Sequence, residues 1–162
     1  MRPTRPALCV RARDAGWRAT ARFAGAAGVV GVYLDTDHWV ELRVLAGRAV
    51  AEVAVAGLRH VLADVGVAED GAADGGALGR GIELWCAAVP FSDSPYAQGG
   101  PDQVVLGLRS SDGVDTEVAR VDGRLLSTEV AGGFTGRMIG TRASGRAAPL
   151  TLTRFAYAPG SD

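Results

Sequence analysis

The chain has 162 residues, 48% of them apolar, the size of one domain with enough apolar side chain to bury a sizeable core. Its 17 basic residues, all arginine, face 18 acidic ones, so no excess of positive charge marks a nucleic-acid partner. No run approaches a membrane span, and the arginines of Met1 to Val10 precede an apolar stretch too short for the core of a signal peptide, so neither a membrane partner nor export is expected and the expected compartment is the cytoplasm.

Period-2 alternation bounded by turn residues recurs along the chain. It predicts strands over Ala7 to Arg13, Trp17 to Phe23, Val29 to Asp35, His38 to Leu45, Arg48 to Val55 and Leu58 to Val65. Further strands are predicted over Gly81 to Ala88, Gln103 to Ser110, Val114 to Val121, Gly136 to Ala143 and Pro149 to Tyr157. No stretch of helical length carries helical periodicity, so the chain reads as all-β. Trp17, Ala19, Ala21 and Phe23 alternate with Arg18, Thr20 and Arg22, while Val40, Leu42 and Val44 alternate with Glu41 and Arg43. Each such strand offers one apolar face, and two antiparallel sheets packed through those faces make a sandwich. Asp35-Thr36-Asp37 and Asp112-Gly113 supply hairpin turns.

Two long loops are expected, at residues 66–81 and 89–102. Near the C-terminus, LSTEVAGGFTGRMIG (Leu126 to Gly140) has a strand-like beginning and end with glycines between. Leu125 and Leu126 are expected to end one strand. Gly132 and Gly133 then let the chain swing across the end of the sandwich, setting down Phe134 before the next strand.

Catalytic chemistry finds little support in spacing. A sandwich glycosidase needs two carboxylates flanking a sugar bond, commonly from one strand at alternating positions, but Glu41 and Glu83 each stand alone on their strands. His38 and His60 lack a second ligand at metal spacing and read as structural. Glu69, Asp70 and Asp74 do not have the spacing of a calcium loop, and no cofactor or metal is expected. Cys9 and Cys86 sit in strand-like stretches and read as buried free thiols, with a single disulfide as the alternative. A carbohydrate site is the more specific expectation: with Val40, Leu42 and Val44 inward, Trp39, Glu41 and Arg43 point outward and, with Tyr33, offer aromatic faces and planar polar groups to a sugar.

The runs VVGVYLDTDHWVELRV (Val29 to Val44), SSDGVDTEVARVDGRLLSTEVAGGFTG (Ser110 to Gly136) and TRFAYAP (Thr153 to Pro159) resemble the C-terminal β-sandwich of glycoside hydrolase family 43, whose members include β-xylosidases and α-L-arabinofuranosidases. The resemblance implies a concanavalin A-like jelly roll of two antiparallel sheets, appended to a five-bladed β-propeller that holds the catalytic acids. No segment matches the propeller, so no catalytic residue carries over. It implies a supporting role, with Gly132, Gly133 and Phe134 at a domain interface or in a loop closing a sugar pocket. The partners so implied are a β-propeller glycosidase domain and xylo- or arabino-oligosaccharides. Where the family usually places an aromatic after the Asp-Gly turn, this chain has Val114 and Asp115, and the loop at 89–102 is longer. The family's first strands are not recognisable, which implies an unpaired sheet edge open to self-association. A self-standing lectin-like module and an independent glycosidase using Glu41 or Glu83 are the alternatives.

Overall fold

Inward-facing residues two apart recur in nearly every strand, and they close a two-sheet sandwich. The computed structural model describes residues 7–67, 81–90, 102–133, 136–142 and 150–160. One antiparallel sheet has the order β1 (Ala7–Arg11), β10 (Met138–Arg142), β3 (Gly28–Tyr33), β4 (Trp39–Leu45), β5 (Arg48–Val55), β6 (Leu58–Gly66). The other has the order β11 (Thr151–Pro159), β2 (Trp17–Ala24), β7 (Ile82–Pro90), β8 (Asp102–Arg109), β9 (Asp115–Asp122). All eleven strands lie within two residues of their expected bounds. The two expected loops fall largely outside the described residues, as do Glu69, Asp70, Asp74 and Phe134.

Between the sheets lies one apolar layer. Trp17, Ala19, Ala21 and Phe23 from β2, Leu84 and Cys86 from β7, and Val104 and Leu106 from β8 meet Val30 and Val32 from β3, Val40, Leu42 and Val44 from β4, and Ile139 from β10. Each fully buried large side chain contributes about 1.5–3 kcal/mol relative to exposure. At one end the β11 residue Tyr157 stacks on Trp17 with ring centroids 6.2 Å apart. Its hydroxyl donates to Asp14 (2.6 Å) and accepts from the Arg13 and Asp14 amides, so the last strand ties down the chain entering β2.

Hairpin turns fix the register of the six-stranded sheet. Ala46-Gly47 joins β4 to β5 and Ala56-Gly57 joins β5 to β6, with positive φ at both positions of each pair (50° and 70°; 51° and 83°). Two positive φ values in a two-residue loop match the right-handed twist of the flanking strands. His38 links the Ala56-Gly57 corner to the Asp35–His38 turn between β3 and β4. Its Nδ1 lies 3.0 Å from both Asp35 carboxylate oxygens, and its Nε2 accepts the Ala56 amide at 3.1 Å. The imidazole therefore brackets the two turns.

The glycine-rich segment departs from expectation in one respect. β9 stops at Asp122, and Leu125 and Leu126 belong to a 3-10 turn (Gly123–Leu126) that Asp122 caps by accepting from the Arg124 amide. A single α-helical turn, α1 (Thr128–Ala131), follows; Ser127 caps it by accepting from Val130, and Gly132 ends it at φ 66°, ψ 21°. Four-residue helical turns are too short to show a periodicity, so their signal is the caps alone. The expected crossing holds: β9 belongs to one sheet and β10 to the other.

Replacing His38 with alanine leaves the Ala56 amide without its acceptor and unties the two corners. Denaturant unfolding of His38→Ala is expected to show a loss of about 1–3 kcal/mol at pH 7; a loss near zero would show that the bracket carries no stability.

Candidate functional site

The strand register decides which side chains share the outer face of the six-stranded sheet. Tyr33 lies opposite Trp39, and Gly31 opposite Glu41, across β3 and β4; Glu41 lies opposite Glu52, and Trp39 opposite Ala54, across β4 and β5. The four residues expected to form a sugar site are thus brought together. Gly31 makes the arrangement fit: a Cβ there would stand 2.8 Å from the Tyr33 hydroxyl and 2.9 Å from the Glu41 Cβ. The Tyr33 hydroxyl donates to Glu41 Oε2 (3.4 Å), and Arg43 Nη2 donates to Glu41 Oε1 (3.1 Å). Arg43 also reaches Glu52 at 3.5 Å, and Arg59 of β6 approaches Glu52 at 3.9 Å.

Burial changes what this cluster can do. Trp39 is 2% exposed and Glu41 1% exposed, although both point away from the apolar layer. The Arg59 guanidinium sits 5.3 Å from the Trp39 ring centre, a cation on an aromatic face. A ring so enclosed presents no open face for a sugar to stack on; Tyr33 and Arg43, both half-buried, are the expected site residues that reach solvent. Glu52 and Arg59 were missed in the sequence because they pair across strands rather than along one. The turn Ala46-Gly47 is the signal that places Glu52 opposite Glu41.

The cross-strand carboxylates do not stand apart as an acid and a nucleophile do. Arg43 lies between them, bonding Glu41 and ion-paired to Glu52, so the trio is a partly buried ion-pair network. Glu83 is on the other sheet, 3.4 Å from Arg109, in a chain that runs Glu83, Arg109, Asp115, Arg18. Arg18 in turn covers the Trp85 ring at 4.2 Å, and the Trp85 indole N–H donates to the Leu108 carbonyl. Asp115 anchors this polar chain. The Arg109 hydrogen bonds, with the charge of Arg18, hold its carboxyl below the usual carboxylate range despite an opposing effect of burial.

At the end of the sandwich, Arg137 braces the crossover. Its guanidinium bonds both oxygens of Asp102, the Gly123 carbonyl (2.7 Å) and, through Nε, the Leu126 carbonyl (3.0 Å). A cavity of about 340 Å³ opens beside it, lined by Asp14, Trp17, Pro90, Asp102 and Arg137. Gly132 and Gly133 lie on the crossover, and a Cβ at either would meet no atom, so this stretch is not wedged into the sandwich. Among the described residues no group of three or more His, Cys, Asp or Glu side chains converges as metal ligands. Cys9 and Cys86 are free, and burial pushes the Cys86 thiol far up. No helix among the described residues is long and apolar enough to cross a membrane.

The fold defines an all-β, two-sheet antiparallel sandwich. No protein-family model matches the sequence. No curated protein matches it either. Among solved structures the chain is similar to a Bacteroides ovatus protein described as "Xyloglucan PUL GH43B", with a TM-score of 0.66 and 19% identity over 93% of this chain. The chain spans 29% of that protein's length. At this identity the likeness is one of fold.

Two consequences of the charge networks are measurable. Arg43→Met strands the buried Glu41 carboxylate and is expected to destabilise the protein by about 3 kcal/mol, the low end for breaking a buried pair. Adding Glu41→Gln should return most of that loss in a double-mutant cycle; additive losses would show that the two side chains are not coupled. For Asp115, a folded-state pKa below the unfolded one makes the stabilisation complete above about pH 4 and lost as pH falls through the lower value. Asp115→Asn should therefore unfold more easily by at most about 1 kcal/mol at pH 7, with the two proteins converging toward strong acid. A gap that persists in strong acid would remove the ionic explanation.

Proposed function

We propose that this chain is a non-catalytic accessory sandwich of the glycoside hydrolase family 43 type, of the β-xylosidase and arabinofuranosidase lineage, supporting a β-propeller catalytic domain. The observation that carries the reading is the fold shared with the family 43 neighbour across 93% of this chain but 29% of the other, the relation an appended domain has to a longer enzyme. The site geometry agrees with a supporting part: the carboxylates on both outer sheet faces are engaged by arginines. The crossover from β9 to β10, which contains the family-like LSTEVAGG run, is braced by Arg137 at the sandwich end and is the surface assigned to the propeller.

Affinity purification of the protein from its native host, with mass spectrometry of what accompanies it, tests this. The expected companion is a β-propeller glycosidase, on the same or a separate chain, whose recovery falls when Arg137→Ala loosens the crossover. Recovery of the protein without any propeller would overturn the proposal.

A further inference from the structure

Two strands bound the six-stranded sheet, and they are unequal. β1 has five residues, whereas β6 has nine and, among the described residues, pairs with β5 on one side and with no strand on the other. The edges of the other sheet are blunted: β9 carries Asp115, Glu117, Arg120 and Asp122, and β11 has an irregular register near Arg154 and ends at Pro159. β6 has no proline and, beside Arg59 and Asp64, exposes three large apolar side chains, Leu58 (79%), Val61 (51%) and Val65 (42%). A long apolar edge of this kind is a template for another strand.

The register of β6 specifies which strand. It has a bulge at Leu62: Glu52 pairs with Val61 and the adjacent Ala51 with Ala63. The bulge shifts the alternation, so that Arg59, Val61 and Asp64 share the outer face while Leu58, His60, Ala63 and Val65 share the core-side face. Two copies of β6 laid antiparallel about a two-fold axis through the bulge match face for face. Leu58 then lies opposite Val65, Arg59 opposite Asp64 and His60 opposite Ala63, each pair occurring twice. Leu62 turns inward to the core, leaving Val61 to meet its own copy on the axis. Apolar partners and opposite charges fall directly across from one another, the arrangement that stabilises cross-strand pairs. Sliding one copy by a single residue sets outer residues against core-side ones, and sliding it by two sets Val61 against Asp64 or Leu58 against Ala63. Arg59 and Asp64 are both exposed, and their present contacts, to Glu52 and the Trp39 ring for Arg59 and to Arg48 for Asp64, all lie on the β5 side, away from the free edge.

We propose that β6 is a homodimer interface, joining the six-stranded sheets of two copies into one continuous sheet through the Leu58–Val65 and Arg59–Asp64 pairs. The self-association implied by an unpaired edge is thereby assigned to β6 rather than to β1. It does not depend on the family 43 reading, since it uses no residue of the crossover.

Sedimentation velocity on the full chain is the test. The expected particle is twice the 16.7 kDa chain mass at about 100 µM, a concentration that fills even a pair with a dissociation constant near 10 µM. Arg59→Asp or Asp64→Arg alone sets two like-charged pairs across the axis and should weaken the dimer about tenfold or more. The double reversal, Arg59→Asp with Asp64→Arg, should restore it. A monomer at every concentration would overturn the proposal, as the bulge would then be acting to turn the edge away from pairing. So would a dimer indifferent to the single reversals, or one that the double reversal fails to restore.

Discussion

The apolar layer between the sheets is the constraint from which the rest follows. Once Trp17, Phe23, Leu42, Leu84 and Leu106 are buried in it, the period-2 geometry of a strand leaves no freedom over what faces outward. Glu41 must emerge beside Arg43 because Val40, Leu42 and Val44 are inside. Arg18 must emerge beside Trp85 because Trp17 and Ala19 are inside and β2 pairs with β7. A slip of one residue in β4, β5 or β7 would carry Glu41, Glu52 or Glu83 into the layer, at an energy no hydrogen bond there could offset. The polar networks on the two outer faces are thus consequences of core register, whether or not they serve a ligand.

How far those networks serve a ligand is decided by burial. An exposed Trp39 beside Glu41 and Arg43 would suit a sugar, and the alternation of β4 permits that picture. The ring instead lies under Arg59, and Glu41 is enclosed by Tyr33 and Arg43. A carboxylate taken out of water holds its charge only when its oxygens are engaged, so the guanidinium that bridges Glu41 and Glu52 is needed by the fold before it is offered to a substrate. Enclosure and ion pairing thus act together on the outer face of the six-stranded sheet.

Strands and sheet-facing residues were legible in the sequence because alternation is a direct imprint of burial. The connections were legible only where their chemistry is explicit. Asp35 and Asp112-Gly113 announce turns, but Ala46-Gly47 and Ala56-Gly57 do not, since alanine seldom takes a positive φ. The two-residue gaps between the expected strands are enough to set Glu52 opposite Glu41, but the bulge at Leu62 and the reach of Arg59 to Glu52 leave no mark in the alternation. The helical turn of Thr128–Ala131 was hidden for another reason: it is set by Ser127 and Gly132 at its ends rather than by any repeat within it. The glycines that suggested a bend do make one, with Gly132 as the left-handed residue that ends a helix.

Strand order also bears on whether the two proposed surfaces can act together. The crossover delivers the chain to β10, beside the β1 edge, while β6 closes the opposite edge with β3, β4 and β5 between. At about 4.8 Å per strand, β10 and β6 are separated by about 19 Å. Arg137 bonds the crossover to Asp102 and to carbonyls near the sandwich end, and none of its partners lies on β5 or β6. A second copy joined along β6 therefore extends the sheet away from the crossover, leaving each copy's surface for a propeller on the far side of its own sandwich. Loss of either contact need not disturb the other, because the layer between the sheets, rather than any partner, holds the strands in register.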